Sequence, residues 1–202
     1  MSHGRTFERR LRSLRGDRGQ SLVEFAMVVP IFLILVLGVV EVSYALLDQH
    51  IVTKLSREGA NLISRDVPLH NAALALEAMS SRPVDFSSNS KVIFSVLKRG
   101  ATSGTANYDK IILYQRYEYG AGPGSSQLQT RGSASFGGPP NYEAANSDSN
   151  SNLQVTNVPA NLIATPGGLV YVAEIYSRHD LITPLGNLGI QVPDTLYSIA
   201  YF

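Results

Sequence analysis

An uncharged apolar run in the N-terminal quarter of the chain limits its possible folds more than any other feature. The 16 residues from Phe25 to Val40 carry no charge, and the wider stretch Leu22–Leu47 is interrupted only by Glu24 and Glu41. As an α-helix these 26 residues would extend about 39 Å, whereas the hydrocarbon core of a bilayer is about 30 Å thick. A buried helix of a globular domain rarely needs apolar residues on every side over this length. The sequence therefore predicts a single transmembrane helix or an equivalent export signal.

Charge is unevenly distributed along the chain. Residues 1–19 contain six arginines against Glu8 and Asp17, while the remainder holds 11 basic and 14 acidic side chains. A basic segment before an apolar helix predicts a cytoplasmic N-terminus, with everything after the helix on the far side of the membrane. The acidic balance of the remainder argues against nucleic-acid binding. The absence of Cys excludes disulfides and thiolate chemistry.

Three interpretations of the apolar run remain open. A cleaved signal peptide would use 43–45 as its small-x-small site, but the run exceeds the usual length of roughly 7–15 residues and Glu41 lies just before that site. An uncleaved anchor is the second interpretation. The third starts from Glu24, because an unpaired carboxylate inside the apolar block costs about 2–4 kcal/mol. A cut between Gly19 and Gln20 would create an α-amine one helical turn before Glu24, able to pair with this carboxylate or with that of a neighbouring subunit.

The residues around this cut carry a family signature. Gly19, followed by four residues and then Glu24 and Phe25, resembles the processing site of class III, type IV pilin-like prepilins. The wider segment Arg18–Arg65 resembles the TadE-like family of minor pseudopilins of the tight-adherence (Tad/Flp) pilus. The matching features of that segment are Val23-Glu24-Phe25-Ala26, Pro30, Gly38, Glu41 and Arg57-Glu58-Gly59-Ala60. Thr183-Pro184-Leu185 is a weaker match, and residues 66–168 carry no matching motif.

The resemblance implies cleavage by a prepilin peptidase between Gly19 and Gln20, and a role in assembling or priming an adhesive surface pilus. It also implies that Glu24 and Phe25 set the register of the helix during assembly. The implied partners are the prepilin peptidase, other pilins and pseudopilins of the same system, an inner-membrane assembly platform and the lipid bilayer. The implied location is the bacterial inner membrane, with a periplasmic ectodomain. The alternative function is that of an uncleaved, membrane-anchored binding module.

These expectations divide the chain into three parts: a leader at 1–19, a helix at 20–65 and an ectodomain at 66–202. Pro30 removes a backbone hydrogen bond and, together with Gly38, predicts a place where the helix bends or locally unwinds. Beyond the membrane the helix shows an apolar face and a charged face. The apolar face is predicted to hold Leu47, Ile51, Leu55, Leu62 and Ile63. The charged face is predicted to hold Asp48, Lys54, Arg57, Glu58 and Arg65. Arg57 and Glu58 are expected to be solvated, because adjacent helical positions point apart.

The remaining pattern predicts an α+β fold with an antiparallel sheet of about four strands. Asp66 is the predicted N-cap of a second helix over 68–80. Runs rich in Ile, Val and Tyr predict strands at Val92–Leu97, Lys110–Tyr119, Leu169–Ser177 and Thr195–Phe202. The Gly/Ser/Asn-rich segment 120–152 is expected to bury little apolar area and to form a mobile loop. The last strand is apolar on both faces, so a cover is expected on each side, from this chain or from another subunit.

The sequence carries few residues that suggest catalysis, and we expect no enzymatic activity, no cofactor and no metal. His50, His70 and His179 are widely separated, and each is expected to be a surface or hydrogen-bonded polar residue. The spacing of oxygen ligands from Asp148 to Asn152 matches the start of a calcium loop. That match fails at its sixth and twelfth positions, which are Leu153 and Pro159 instead of Gly and Glu.

Overall fold

The computed structural model describes the backbone of residues 4–184, 186 and 194–202, with side chains from residue 19 onward. The chain divides into two compact units. The first comprises residues 1–44 and 181–192, and the second, here called the α+β unit, comprises residues 45–180 and 193–202. Part of the predicted leader, residues 1–3, and Leu185 of the weaker motif lie outside the described residues.

The first helix, α1, extends from Gly4 to Ser64. It begins well before the predicted start at Gln20, because residues 1–19 include six Arg, a residue that forms helices readily. The helix is not interrupted at Pro30 or Gly38, so local unwinding at these residues is absent. A bend there stays a prediction.

The second helix, α2, extends from Leu69 to Met79 and confirms the helix predicted over 68–80. The predicted cap was wrong. The N-cap position is occupied by Pro68, which makes no side-chain capping bond. Asp66 lies two residues earlier in a left-handed conformation, with φ of 61°. Asp66 therefore turns the chain between the two helices, and its position is too early to cap α2.

Four antiparallel strands form one sheet, which confirms the predicted α+β class. The strands are β1 (Ser90–Arg99), β2 (Ile111–Tyr119), β3 (Leu169–Arg178) and β4 (Thr195–Tyr201). Their order across the sheet is β2-β1-β3-β4. Each predicted strand is present and its bounds differ by at most two residues, because the runs rich in Ile, Val and Tyr supply the buried residues of the sheet.

One face of the sheet, here called the inner face, packs against α2 and the C-terminal part of α1. The predicted apolar face of α1 was partly wrong, since Leu47 is 53% exposed whereas Ser56 and Gly59 are buried. Small residues allow the helix to approach the sheet closely. A Cβ atom at Gly59 would lie 3.0 Å from Leu76 Cδ1 and 3.0 Å from Phe94 Cε1. The charged side chains Lys54, Arg57, Glu58 and Arg65 are exposed, as predicted, whereas Asp48 of the same predicted face is partly buried beside His179.

The opposite, outer face of the sheet is covered by irregular chain between β2 and β3. This cover includes a short 3₁₀ helix at Ser151–Leu153. Leu128 and Ile163 pack with Leu97 and Val172 of the sheet, and Leu153 is fully buried against β2. The expectation that 120–152 buries little apolar area was therefore wrong at Leu128. It fails because a few large side chains spaced along a polar segment are enough to cover the sheet. The mobility of this segment stays a prediction.

Candidate processing and assembly site

The predicted processing segment lies on the exposed surface of α1. Gln20 and Glu24 are one helical turn apart, and Gln20 Nε2 donates a hydrogen bond to Glu24 Oε1 at 3.0 Å. Phe25 is 68% exposed. In the unprocessed chain, the Glu24 carboxylate is therefore contacted by the side-chain amide of Gln20. The sequence predicts that the α-amine of Gln20 becomes its partner after cleavage. The amine–carboxylate pair itself stays a prediction.

The glycines of this helix differ in what surrounds them. A Cβ atom added at Gly19 would have no neighbour within 4 Å, and the same holds at Gly38. Packing among the described residues therefore does not require a glycine at either position. Gly59, in contact distance of Leu76 and Phe94, is different in this respect.

The helix segment Gly19–Ser64 is the one part of the described chain that is long and apolar enough to cross a membrane. None of the residues in the most apolar part of this segment is buried. Side chains such as Phe25, Ile31 and Leu35 are more than 60% exposed. Such an exposed apolar surface is unfavourable in water, and the apolar stretch Leu22–Leu47, about 39 Å long as a helix, is sufficient to cross a bilayer core of about 30 Å. This single N-terminal apolar helix indicates a single-pass membrane protein.

A second carboxylate of the apolar run, Glu41, is only 1% exposed. Its two oxygens accept hydrogen bonds from the backbone N–H groups of Ile182, at 3.2 Å, and Thr183, at 2.9 Å. A buried carboxylate needs hydrogen-bond donors. Sequence analysis did not identify the donors to Glu41, because they lie about 140 residues away along the chain.

The α+β unit contains a buried polar cluster centred on Glu174, which sequence analysis missed. Its carboxylate is fully buried and accepts hydrogen bonds from Ser126 Oγ at 2.5 Å, Gln127 N at 2.7 Å and Tyr197 Oη at 2.9 Å. Burial, reinforced by the charge of Glu174, raises the pKa of Tyr197 far above its ordinary value. Arg116 donates to Ser126 Oγ at 2.8 Å. These bonds fasten the chain at 126–127 to the outer face of the sheet.

The three histidines highlighted by the sequence have separate surroundings. His179 Nδ1 and Asp48 Oδ2 are 2.7 Å apart, with the imidazole buried. His70 Nδ1 lies 2.9 Å from Tyr117 Oη, and His50 is exposed on α1. The structure therefore does not bring these imidazoles together into one site.

The segment from Asp148 to Asn152, whose spacing matches only the start of a calcium loop, is held by side chains of the protein. Asn107 Nδ2 donates to the carbonyl oxygens of Ser147, at 2.7 Å, and Asn150, at 2.9 Å. The carboxylate of Asp148 accepts a hydrogen bond from Thr102 Oγ1 at 2.9 Å. Among the side chains described from residue 19 onward, no group of three or more His, Asp or Glu residues is placed to hold a metal ion.

Comparison with known proteins identifies the N-terminal segment. A family model described as TadE-like protein matches residues 19–61. No curated protein and no solved structure matches the chain. The resemblance stated from the sequence is thus confirmed over this segment, which begins at Gly19 and includes Glu24 and Gly59. The match suggests a protein associated with a Tad pilus.

Proposed function

We propose that this chain is a minor pseudopilin of a Tad/Flp-type pilus system, processed by a prepilin peptidase between Gly19 and Gln20. The TadE-like match beginning at Gly19 carries this proposal. The leader lies in the cytoplasm and the α+β unit on the periplasmic side of the bacterial inner membrane. The processed protein takes part in assembling or priming a pilus used in adhesion, together with other pilins and the inner-membrane platform.

The contact between Gln20 and Glu24 supports a mechanism for assembly. Processing converts the backbone nitrogen of Gln20 into an α-amine, which is largely protonated at neutral pH. The carboxylate of Glu24 then has an opposite charge nearby, on its own helix or on that of an adjacent subunit. Pairing offsets the penalty of placing a carboxylate in an apolar environment. Where the amine and the carboxylate belong to two adjacent subunits, the pair forms at only one relative position of their helices and so sets their register, with Phe25 packing beside it.

The N-terminal residue of the native, membrane-extracted protein tests this proposal. Mass spectrometry or Edman sequencing should report Gln20. Met1 as the N-terminal residue would instead support the uncleaved, membrane-anchored binding module. Leu46 would indicate an ordinary secretory signal. Both of the latter results contradict the proposed processing.

A substitution at Gly19 adds a matched test. Gly19→Val should leave the whole leader attached, because a peptidase must accommodate the side chain next to the cut. Gly38→Val is the control, because a Cβ atom at either position meets no atom within 4 Å. The control should be processed normally, whereas processing of the Gly19 variant at the wild-type rate would contradict the assigned site.

A further inference from the structure

The two edges of the sheet differ in how much of their backbone is already paired. The β2 edge is covered by later chain, with isolated bridges joining Gln115 to Glu143 and Ile112 to Gln154. No bridge of this kind lies along the β4 edge within the described ranges, 4–184, 186 and 194–202. Unpaired strand edges are templates for another strand, and proteins usually cover those that they do not use. Of the two edge strands, β4 is therefore the one available to pair with another strand.

The register of β4 shows which backbone groups face outward. Phe202 and Tyr171 exchange both of their backbone hydrogen bonds, at 2.8 and 2.9 Å. Because pairing alternates along an antiparallel ladder, the N–H and C=O groups of Ile199 and Tyr201 point away from β3. The outward carbonyl of Tyr197 accepts a hydrogen bond from Gln49 Nε2 at 3.0 Å. No described segment bonds the outward groups of Ile199 and Tyr201.

A basic groove lies next to this edge. Its lining residues come from α1 and from the residues that directly follow α1 and β4: His50, Thr53, Lys54, Arg57, Glu58, Asn61, Arg65 and Phe202. The groove has a volume of about 570 Å³. Lys54, Arg57 and Arg65 are exposed, and Glu58 is the one carboxylate among the lining side chains. Lys54 and Arg57 are three residues apart and therefore lie on the same side of α1, and Arg65 directly follows the last residue of that helix.

We propose that β4 binds an extended, acidic segment of another protein as a fifth strand of the sheet. Backbone groups of Ile199 and Tyr201 would pair with the added strand, as in other cases of strand addition. Side chains of an added strand alternate between its two faces, so every second one would project toward α1. Carboxylates at those positions would meet Lys54, Arg57 and Arg65. This binding does not depend on whether the leader has been removed.

Amide hydrogen exchange at residue resolution tests the proposal on the full chain in detergent micelles. The probe is an acetylated eight-residue peptide that alternates Glu and Val. With this peptide, exchange at Ile199 and Tyr201 should slow at least tenfold, whereas Ser198 and Ala200, already paired with β3, should be unaffected. No slowing at Ile199 and Tyr201 at millimolar peptide, or slowing confined to α1, overturns strand addition.

Two control peptides separate backbone pairing from charge. Replacing each Glu by Lys should weaken binding at least fivefold, and equal binding overturns the assignment of an acidic partner. Replacing each Val by Pro removes backbone donors and should abolish the slowing. Slowing that appears without peptide and increases with protein concentration identifies a second copy as the occupant, and likewise overturns the proposal.

Variants of the protein test separately the contribution of the basic side chains and the contribution of backbone pairing at β4. Lys54→Glu together with Arg57→Glu should weaken binding of the Glu/Val peptide about five- to tenfold. Lys110→Glu, at an exposed position outside the groove, should leave it unchanged. Tyr201→Pro removes an outward N–H group while keeping the ladder to β3, and should abolish the slowing at Ile199. Tyr201→Val keeps that N–H group and should bind normally; equal loss in both variants contradicts backbone pairing.

Discussion

At the scale of single residues, Gly59 shows how the sequence allows α1 to lie close to the sheet. Its missing side chain leaves room for Leu76 and Phe94, whose nearest atoms would lie 3.0 Å from an added Cβ atom. Replacement by a larger residue forces these neighbours to move, and overpacking of this kind costs about 1–3 kcal/mol. A glycine that lowers helix propensity is therefore favoured here by packing.

Gly59→Ala should consequently lower the thermal midpoint of the full chain in detergent, measured by circular dichroism. The matched control is Gly38→Ala, on the same helix and with no atom within 4 Å of the added group. That variant should be neutral or slightly more stable, because Ala is the better helix former. An unchanged midpoint for Gly59→Ala would show that Leu76 and Phe94 shift without loss.

Tyr197 should make the stability of the α+β unit sensitive to alkaline pH. Burial first, and then the charge of Glu174, raises the pKa of Tyr197 in the folded state. The unfolded chain therefore releases this proton near the ordinary value of about 10, while the folded chain retains it. The unfolded state then binds fewer protons, so the free energy of unfolding falls as the pH rises above that value.

This dependence is measurable by urea unfolding between about pH 8 and pH 11. Tyr197→Phe should reduce the slope of the free energy of unfolding against pH. Tyr108→Phe serves as the control, because that side chain is 45% exposed. Equal slopes for the wild type and Tyr197→Phe would show that Tyr197 does not contribute to the alkaline loss of stability.

At the scale of elements, local sequence patterns were enough to predict the strands and α2. The four strands follow from runs rich in Ile, Val and Tyr, and α2 follows from the spacing of apolar residues along one of its faces. The buried face of α1 was harder to predict, because Ser56 and Gly59 lie in it and neither is apolar enough to mark it. The candidate processing segment could be identified because its residues are contiguous. The partners of Glu41 and Glu174 could not, because they are distant in sequence and are set by the tertiary fold.

The cover of the outer face provides a test at this scale. Asn107 is fully buried, donates to the carbonyls of Ser147 and Asn150, and accepts from Gln154 Nε2 at 2.9 Å. Asn107→Ala removes these three bonds and leaves their partners unsatisfied. It should destabilise this part of the cover by about 2–3 kcal/mol.

Amide hydrogen exchange should show the effect of Asn107→Ala as faster exchange over residues 146–154, with the centres of β1 and β3 protected. Asn141→Ala, at an exposed position of the same cover, should change little. Fast exchange over 146–154 in the unmodified protein would contradict the anchoring role of Asn107. It would support the mobile loop expected from composition.

At the scale of the whole molecule, the two candidate functions lie in different units of the chain. Glu24 belongs to the first unit, which includes the N-terminal part of α1, and the four strands belong to the α+β unit. Processing and helix register are assigned to the first, and strand addition at β4 to the second. Substitutions in one unit should therefore leave the function of the other intact, unless folding itself is affected.

Glu24→Ala tests this separation. The variant should still insert into the membrane, since removing a carboxylate from an apolar helix favours insertion. Surface filaments, counted by electron microscopy of cells that carry the complete pilus system, should decrease strongly. The thermal midpoint of the α+β unit in the full-length protein should stay the same. A normal filament count contradicts the register role, and a lowered midpoint would assign Glu24 a role in folding instead.

Gln20→Ala identifies which nitrogen pairs with Glu24. In the unprocessed chain the Gln20 side-chain amide contacts this carboxylate at 3.0 Å, so a loss in Glu24→Ala alone does not distinguish the amide from the α-amine. Gln20→Ala removes the amide but keeps the backbone nitrogen that becomes the α-amine after processing. If the amine sets the register, this variant should assemble filaments at nearly the wild-type level. A loss equal to that of Glu24→Ala, in protein shown to be cut after Gly19, would assign the role to the side-chain amide.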